Sequence, residues 1–288
     1  DGVKAWDYAI SGEHRITSGS SILVPIPGSL TYGTTALPDK ADPTLLDLTD
    51  SETEITTAQH GDAVVVMEQL YLQKDLNTVA AIGKAMLHAA NNKLEDIIGA
   101  VALAGSNVQL VGGAASADDL TADDQITLKD IGRGVAKLRN RKILPWENGY
   151  YRLFLNSVVI QDLLEETGLT GVTGVLSPTD STPFEKGWVT RIAGCDVFRA
   201  DALTIESLAA GDDGGGDNDA DLVKSLIVGK DYMHRATQLP FQARFNAPLG
   251  DIMQRAYSYM WKKYFGVKRM REAAAQRILS RSPSCDNP

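Results

Sequence analysis

The residues of this chain best placed to do chemistry are charged, and they fall in two runs of opposite sign. Asp39, Asp42, Asp47 and Asp50 stand in a long polar stretch, Gly33 to Glu54, with Glu52 and Glu54 behind them. Near the other end, Arg255, Lys262, Lys263, Lys268, Arg269, Arg271, Arg277 and Arg281 are set against one carboxylate, Glu272. Acids on one copy can lie on bases of the next. Such a head-to-tail contact generates rings or lattices, not an isolated dimer. The plainer alternative is that both runs are solvated surface.

Searches for catalytic motifs come back empty. The chain has no Gly-Lys-Ser/Thr phosphate loop, no G-x-S-x-G elbow, no H-E-x-x-H and no cysteine pair at zinc spacing. His14, His60, His88 and His234 fall one per element, and Cys195 and Cys285 are too far apart to suggest a disulfide framework. Asp217, Asp219 and Asp221 imitate the start of a calcium loop. Leu222 stands where that loop needs glycine and Val228 where it needs glutamate, so the stretch reads as a solvated loop. We expect no catalytic, cofactor-binding or metal residues and no cofactor.

Composition narrows the field further. A hydrophobic content of 43% and a charged content of 23% suit a folded chain of 288 residues, enough for one large or two modest domains. A net charge of −9 argues against a sequence-reading nucleic-acid binder. No apolar run approaches the length of a membrane span, and no signal peptide leads the sequence. It opens on Asp1, not Met, so a preceding segment is either removed or not included.

The elements that must position these groups are organised around one stretch, Leu76 to Ala104. Apolar residues there recur at gaps of three and four, which predicts a single long helix with Asp75 as N-cap and Gly105 as left-handed stop. Residues Asp1 to Thr17 read as an arm that needs another surface to lie on. Ser20 to Tyr32 and Ile55 to Leu72 read as two β arms of an extended hairpin, with Pro25 and Pro27 marking an edge. Gly105 to Asp124 looks like a boundary. Beyond it come a helix over Thr127–Leu138, a buried strand over Gly149–Leu155, a helix over Ser157–Thr167 and a strand and turn over Trp188–Arg199. A short strand over Ser225–Gly229 extends through Tyr232–Asn246, and Ile252 to Arg281 is helical in bias. Strands alternating with helices suggest an α/β or α+β second domain.

At this point the chain resembles the major capsid proteins of tailed bacteriophages, most of all the N4-like phage branch with the Hong Kong 97-type fold. The residues that carry the likeness are HGDAVVVMEQLYL running into the long helix, AGSNVQLVGG at its end, PWENGYYRLFLN with DLLEE, RIAGCDVFRADAL, and NAPLGDIMQRAYSYMWKKYFG. They cover most of the chain from about Gly19. The resemblance implies an α+β fold with an N-terminal arm (1–18), an extended loop (19–60) and a peripheral domain (61–119) holding the spine helix. An axial α/β domain (120–238) and a return to the peripheral domain with a basic C-terminal segment (239–288) would follow. The acidic stretch Gly211 to Asp221 departs from the family's pattern.

The same resemblance implies a non-enzymatic structural protein of the virion, assembled in the host bacterial cytoplasm. Its copies would form hexamers and pentamers of an icosahedral shell around double-stranded DNA held without sequence specificity. Portal, scaffolding and decoration proteins would be further partners, and no membrane would be involved. Asp39, Asp42, Asp47 and Asp50 are then the expected interface acids, with Lys262, Lys263, Lys268 and Arg269 as the neighbour's receiving surface. Those bases could instead face the lumen and touch phosphates. The alternatives are an encapsulin-like nanocompartment shell and a soluble α/β enzyme.

Overall fold

A computed structural model describes residues 5–26, 51–67, 77–121, 124–165, 188–206, 222–246 and 256–282. The long helix, α1, runs Asn77–Leu103, which at 1.5 Å per residue is about 40 Å. Ala90, Leu94, Ile98 and Ala102, four residues apart, are its buried line. From Ala81 to Ala89 the side chains are exposed or half-buried, with Met86 packed against the core. Asp75 lies outside the described residues.

The expected glycine stop is not how α1 ends, because Gly105 does not adopt a left-handed backbone. Distant side chains take the last carbonyls instead. Tyr232 Oη donates to Ala102 O at 2.6 Å, Arg277 Nη1 to Leu103 O at 2.6 Å and Arg269 Nη1 to Ala104 O at 2.7 Å. Two guanidiniums also face the partial negative charge at the helix end.

The strands before α1 are β1 (Ile10–Arg15), β2 (Ser21–Ile26), β3 (Ser51–Thr56) and β4 (Ala58–Met67). After it come β5 (Val108–Leu110), helix α2 (Leu128–Asn140), β6 (Tyr151–Leu155) and helix α3 (Ser157–Glu165). The chain continues through β7 (Trp188–Ile192), β8 (Cys195–Arg199), β9 (Ile205–Glu206) and β10 (Leu222–Val228). It closes with β11 (Met233–Asn246), β12 (Ala256–Arg269) and β13 (Ala275–Arg281).

The larger sheet has the order β5-β13-β10-β6-β8-β7, with β9 beside β10. It mixes directions: β13 and β6 run antiparallel to β10, while β5 is parallel to β13 and β8 to β6. Its inner strands β13, β10, β6 and β8 are buried on both faces, which explains near-continuous runs such as YRLFL. Helix α2 covers one face, its backbone at Gly134 packing directly on Ile227. Thr127 and Asp130 cap α2 reciprocally, side chain to backbone. Ile227 pairs with Leu153, so Phe154, the next residue along β6, points to the opposite face. There it meets Trp6, at 5.0 Å between stacked ring centroids.

That contact corrects the expectation for the N-terminal arm. A 3₁₀ turn, Ala5–Ala9, buries Ala5, Trp6 and Ala9 in the chain's own core, and β1 pairs parallel with β11. Tyr8 stacks on Phe198 at 4.6 Å, and the Ala5 amide donates to Glu95 Oε1 at 2.9 Å. From Ala5 on, the arm therefore needs no second subunit to be covered. Its partners come from α1, β6 and β8, all distant in sequence.

The second correction concerns Ile252 to Arg281. Its Ala, Lys, Arg and Glu content favours a helix, yet from Ala256 on it forms β12 and β13, joined through a 3₁₀ turn at Glu272–Ala274. Pairing decides this: β12 lies between β11 and β4, and β13 between β10 and β5. Two ladders and the burial of Trp261 and Phe265 outweigh a few tenths of a kcal/mol of propensity per residue. The smaller sheet, β1-β11-β12-β4, contains two 14-residue strands, each spanning about 46 Å.

Candidate functional site

The acidic stretch hangs from a hairpin whose base is built strongly. β2 and β3 pair antiparallel from Ser21–Thr56 to Ile26–Ser51. Val24 and Ile55 point inward from them onto Ile16, Ala236 and Met270, a small core separate from the main one. Polar ties close the root: Thr57 Oγ1 donates to Ser20 O at 3.0 Å, and Gln238 Nε2 donates to Gly19 O at 3.0 Å. Lys268 Nζ donates to Glu54 O at 2.9 Å. Residues 27–50, and with them Asp39, Asp42, Asp47 and Asp50, lie outside the described residues.

Gly266 on β12 lies under this root. A Cβ there would run into the carbonyl oxygen of Thr56, which is backbone and cannot swing aside. Gly266→Ala is expected to destabilise the subunit by about 1–3 kcal/mol. It should also raise the rate of proteolytic cleavage within the hairpin, read by limited proteolysis beside thermal unfolding. Wild-type values for both would show that the root tolerates displacement.

The structure does not gather the four predicted bases into one patch. Alternation along β12 puts Lys262 and Lys268 on one face and Lys263 and Arg269 on the other. Lys268 and Arg269 line a cavity of about 510 Å³ with Ala104 and Glu272 at the end of α1. Arg269 also pairs with Glu272 at 3.0 Å, so it serves its own chain's helix end. Lys263 lies 4.7 Å from the Phe265 ring and borders a second cavity, of about 570 Å³, with Glu13, His14, Arg15, Arg235 and Phe241.

Sequence reading missed one pair, of which His14 lines that cavity. His14 Nε2 and His234 Nδ1 stand 3.1 Å apart, brought together by the parallel pairing of β1 and β11. One proton between them makes a hydrogen bond, whereas two make repulsion. Burial first, and then His14, lower the pKa of His234 below the ordinary 6.5, with Asp231 opposing. The unfolded chain thus binds this proton more readily than the folded one. The pair's contribution is complete above pH 6.5 and is lost as pH falls through the lowered native value. The thermal midpoint of wild-type subunits should therefore fall between pH 7.5 and 5.5 by more than that of His14→Gln. Equal losses would remove the pair from the account.

Nothing at these sites is arranged for bond-making chemistry. Among the described residues no group of three or more His, Cys, Asp or Glu converges as a metal site. The Cys195 thiol is buried and pushed up to about 12 by that burial and then by Asp196, which leaves it protonated and unreactive at neutral pH. Among the described residues β4 is the outer strand of the smaller sheet, and it exposes Val64, Val65 and Met67.

No family model and no curated protein matches this chain in sequence. Solved structures match it along nearly its whole length. The capsid of Ralstonia phage GP4 aligns with a TM-score of 0.75 at 13% identity, covering 97% of this chain and 88% of that one. The capsid of Helicobacter pylori bacteriophage KHP30 aligns at 0.69 and 11% identity, over 93% of this chain and 87% of that one. The capsid asymmetric unit of cyanophage Pam1 aligns at 0.67 and 16% identity, over 92% and 86%. The fold is that of tailed-phage capsid subunits, the α+β Hong Kong 97 type expected from the sequence.

Proposed function

We propose that this chain is the major capsid protein of a tailed bacteriophage, a virion component whose copies close into an icosahedral shell of hexamers and pentamers around double-stranded DNA. The observation that carries the reading is whole-length agreement of fold with capsid subunits, over 97% of this chain in one case. Two features of the molecule support it. From Ala81 to Ala89 α1 is exposed or half-buried, and β4, outermost in its sheet among the described residues, exposes Val64, Val65 and Met67. Both are surfaces that further copies of the chain would cover. The working groups are then interface groups, with no catalytic role.

Within that reading, residues 1–18 are the arm, 19–60 the extended loop, 61–119 the peripheral domain, 120–238 the axial domain and 239–288 the return. In the return, β12 and the part of β11 from residue 239 on lie in the smaller sheet, whereas β13 joins the larger one. The acids Asp39, Asp42, Asp47 and Asp50 reach the Lys262–Arg269 region of a neighbouring copy. Lys268 and Arg269 also serve their own chain, Lys268 through Glu54 O and Arg269 through Glu272. A finer placing with the N4-like phages rests on the order of the sequence motifs. A genome neighbourhood of N4-like genes would support it, and one of another phage type would remove it.

Negative-stain electron microscopy after size-exclusion chromatography tests the main proposal. Closed shells, or rings of five and six, are expected. A monodisperse monomer or dimer across salt and concentration would overturn it. Shells that never contain nucleic acid would point to a cargo-holding nanocompartment.

A further inference from the structure

Helix α2 carries a row of cations spaced about one turn apart. Lys129, Arg133, Lys137 and Arg141 follow one another at intervals of four residues, and all four are exposed. Successive charges are therefore about 6 Å apart along one face, over about 18 Å. Residues 128–142 hold six cations against one carboxylate, Asp130, in a chain whose net charge is −9. Like charges at this spacing repel, and the Lys137 pKa is lowered by burial, then by Arg141 and Arg133. The helix dipole accounts for the C-terminal members, but Lys129 in the first turn opposes it. Arg133 has Asp130 at 3.3 Å. Among the described residues no carboxylate pairs with Lys129, Lys137 or Arg141.

The row also has the right relief. Gly132 and Ala136 lie between the cations, so a broad partner can approach the helix closely. Regular charge, small spacers and no aromatic or amide comb for base edges fit a repeating phosphate chain better than an irregular acidic peptide. The larger sheet separates this face from the N-terminal turn, since Gly134 packs on one side of the sheet and Trp6 on the other.

We propose that the exposed face of α2, through Lys129, Arg133, Lys137 and Arg141, binds the phosphate backbone of double-stranded DNA without regard to sequence. This rests on the reading of the chain as a shell subunit, and it assigns the face that meets the packaged polyanion.

The test uses full-length unassembled subunits and a labelled random-sequence duplex, with binding followed by fluorescence anisotropy from 50 to 200 mM NaCl. Four phosphate contacts contribute a slope of about −3.6 in log K against log salt, which weakens binding roughly 100-fold over that range. Lys129→Gln/Arg133→Gln/Lys137→Gln/Arg141→Gln should lose that part of the slope, and Lys129→Gln/Lys137→Gln about half of it. The double variant keeps the test open if the quadruple one fails to fold. A folded stripe variant with the wild-type slope, or a wild type that does not bind DNA, overturns the proposal. So does a stripe variant that loses shells but keeps DNA binding, which would make the stripe a contact with acids of another copy. Electron microscopy of the same preparations reads the capsid proposal separately. Shells with an unchanged slope sink the stripe alone, whereas a wild type that never forms shells sinks the capsid reading.

Discussion

Reversing Asp39, Asp42, Asp47 and Asp50 to lysine is expected to abolish closed shells while leaving the subunit folded and soluble. Each exposed ion pair is worth only about 0.2–1 kcal/mol. The contact recurs at every subunit of a shell, however, and reversal turns each attraction into repulsion. Folding should survive, because the hairpin root is held by the β2–β3 ladder and by the small core around Ile55, neither of which includes these four residues. Two controls make the result specific. About 1 M salt, which shortens the screening length to about 3 Å, should weaken wild-type assembly in the same direction. Lys262→Glu/Lys263→Glu on the reversed background should restore part of it. Particle counts by electron microscopy and subunit folding by circular dichroism read both. Normal shells from the reversed variant would remove the tip-to-tail contact.

Trp6→Ala should be the most damaging single change to the isolated subunit, costing about 3–5 kcal/mol. That is a large share of a typical domain's 5–15 kcal/mol, and it should lower the thermal midpoint by on the order of 10 °C. Trp6 is fully buried, stacks on Phe154 and sits so close to α1 that a Cβ on Gly99 would come within 2.8 Å of its Nε1. The loss joins three elements, since the same turn touches α1, β6 and, through Tyr8, β8. Trp6→Phe should cost much less. It keeps the stacked ring and removes an indole N–H that has no hydrogen-bond partner among the described residues. Gly99→Ala should mimic part of the alanine phenotype by displacing the ring. If Trp6→Ala unfolds with the wild-type midpoint, the arm is not anchored to its own chain, and a neighbour would have to hold it.

Much of the local structure was legible in the residues. The gaps of three and four from Leu76 predicted α1 to within a residue of its observed Asn77–Leu103. Leu128, Ile131, Val135 and Leu138 predicted α2, and GYYRLFL predicted β6. These succeed because a helix face, or a strand buried on both sides, writes its pattern into consecutive residues. The tail failed for the converse reason. Lys262, Lys263 and the REAAAQR stretch carry helix-favouring types, but strands on either side of β12 and β13 supply the ladders that decide their state. No window of sequence contains those strands.

The assembly surface divides along the same line. Sequence alone determined the two charge runs, the long helix and the first arm of the hairpin, because charge and periodicity are properties of a residue and its near neighbours. The second arm is Ser51–Thr56, since Ala58–Met67 of the expected Ile55 to Leu72 pairs with β12 instead. Tertiary structure alone decided which cations share a surface. It set Lys268 and Arg269 to hold their own chain, turned Lys262 and Lys263 to opposite faces of β12, and brought His14 onto His234. It also let Arg269 and Arg277 cap α1. Each of these depends on strand register between segments far apart in the chain. Register is fixed by the burial of Trp6, Ile55, Trp261 and Phe265 together, not by any one segment.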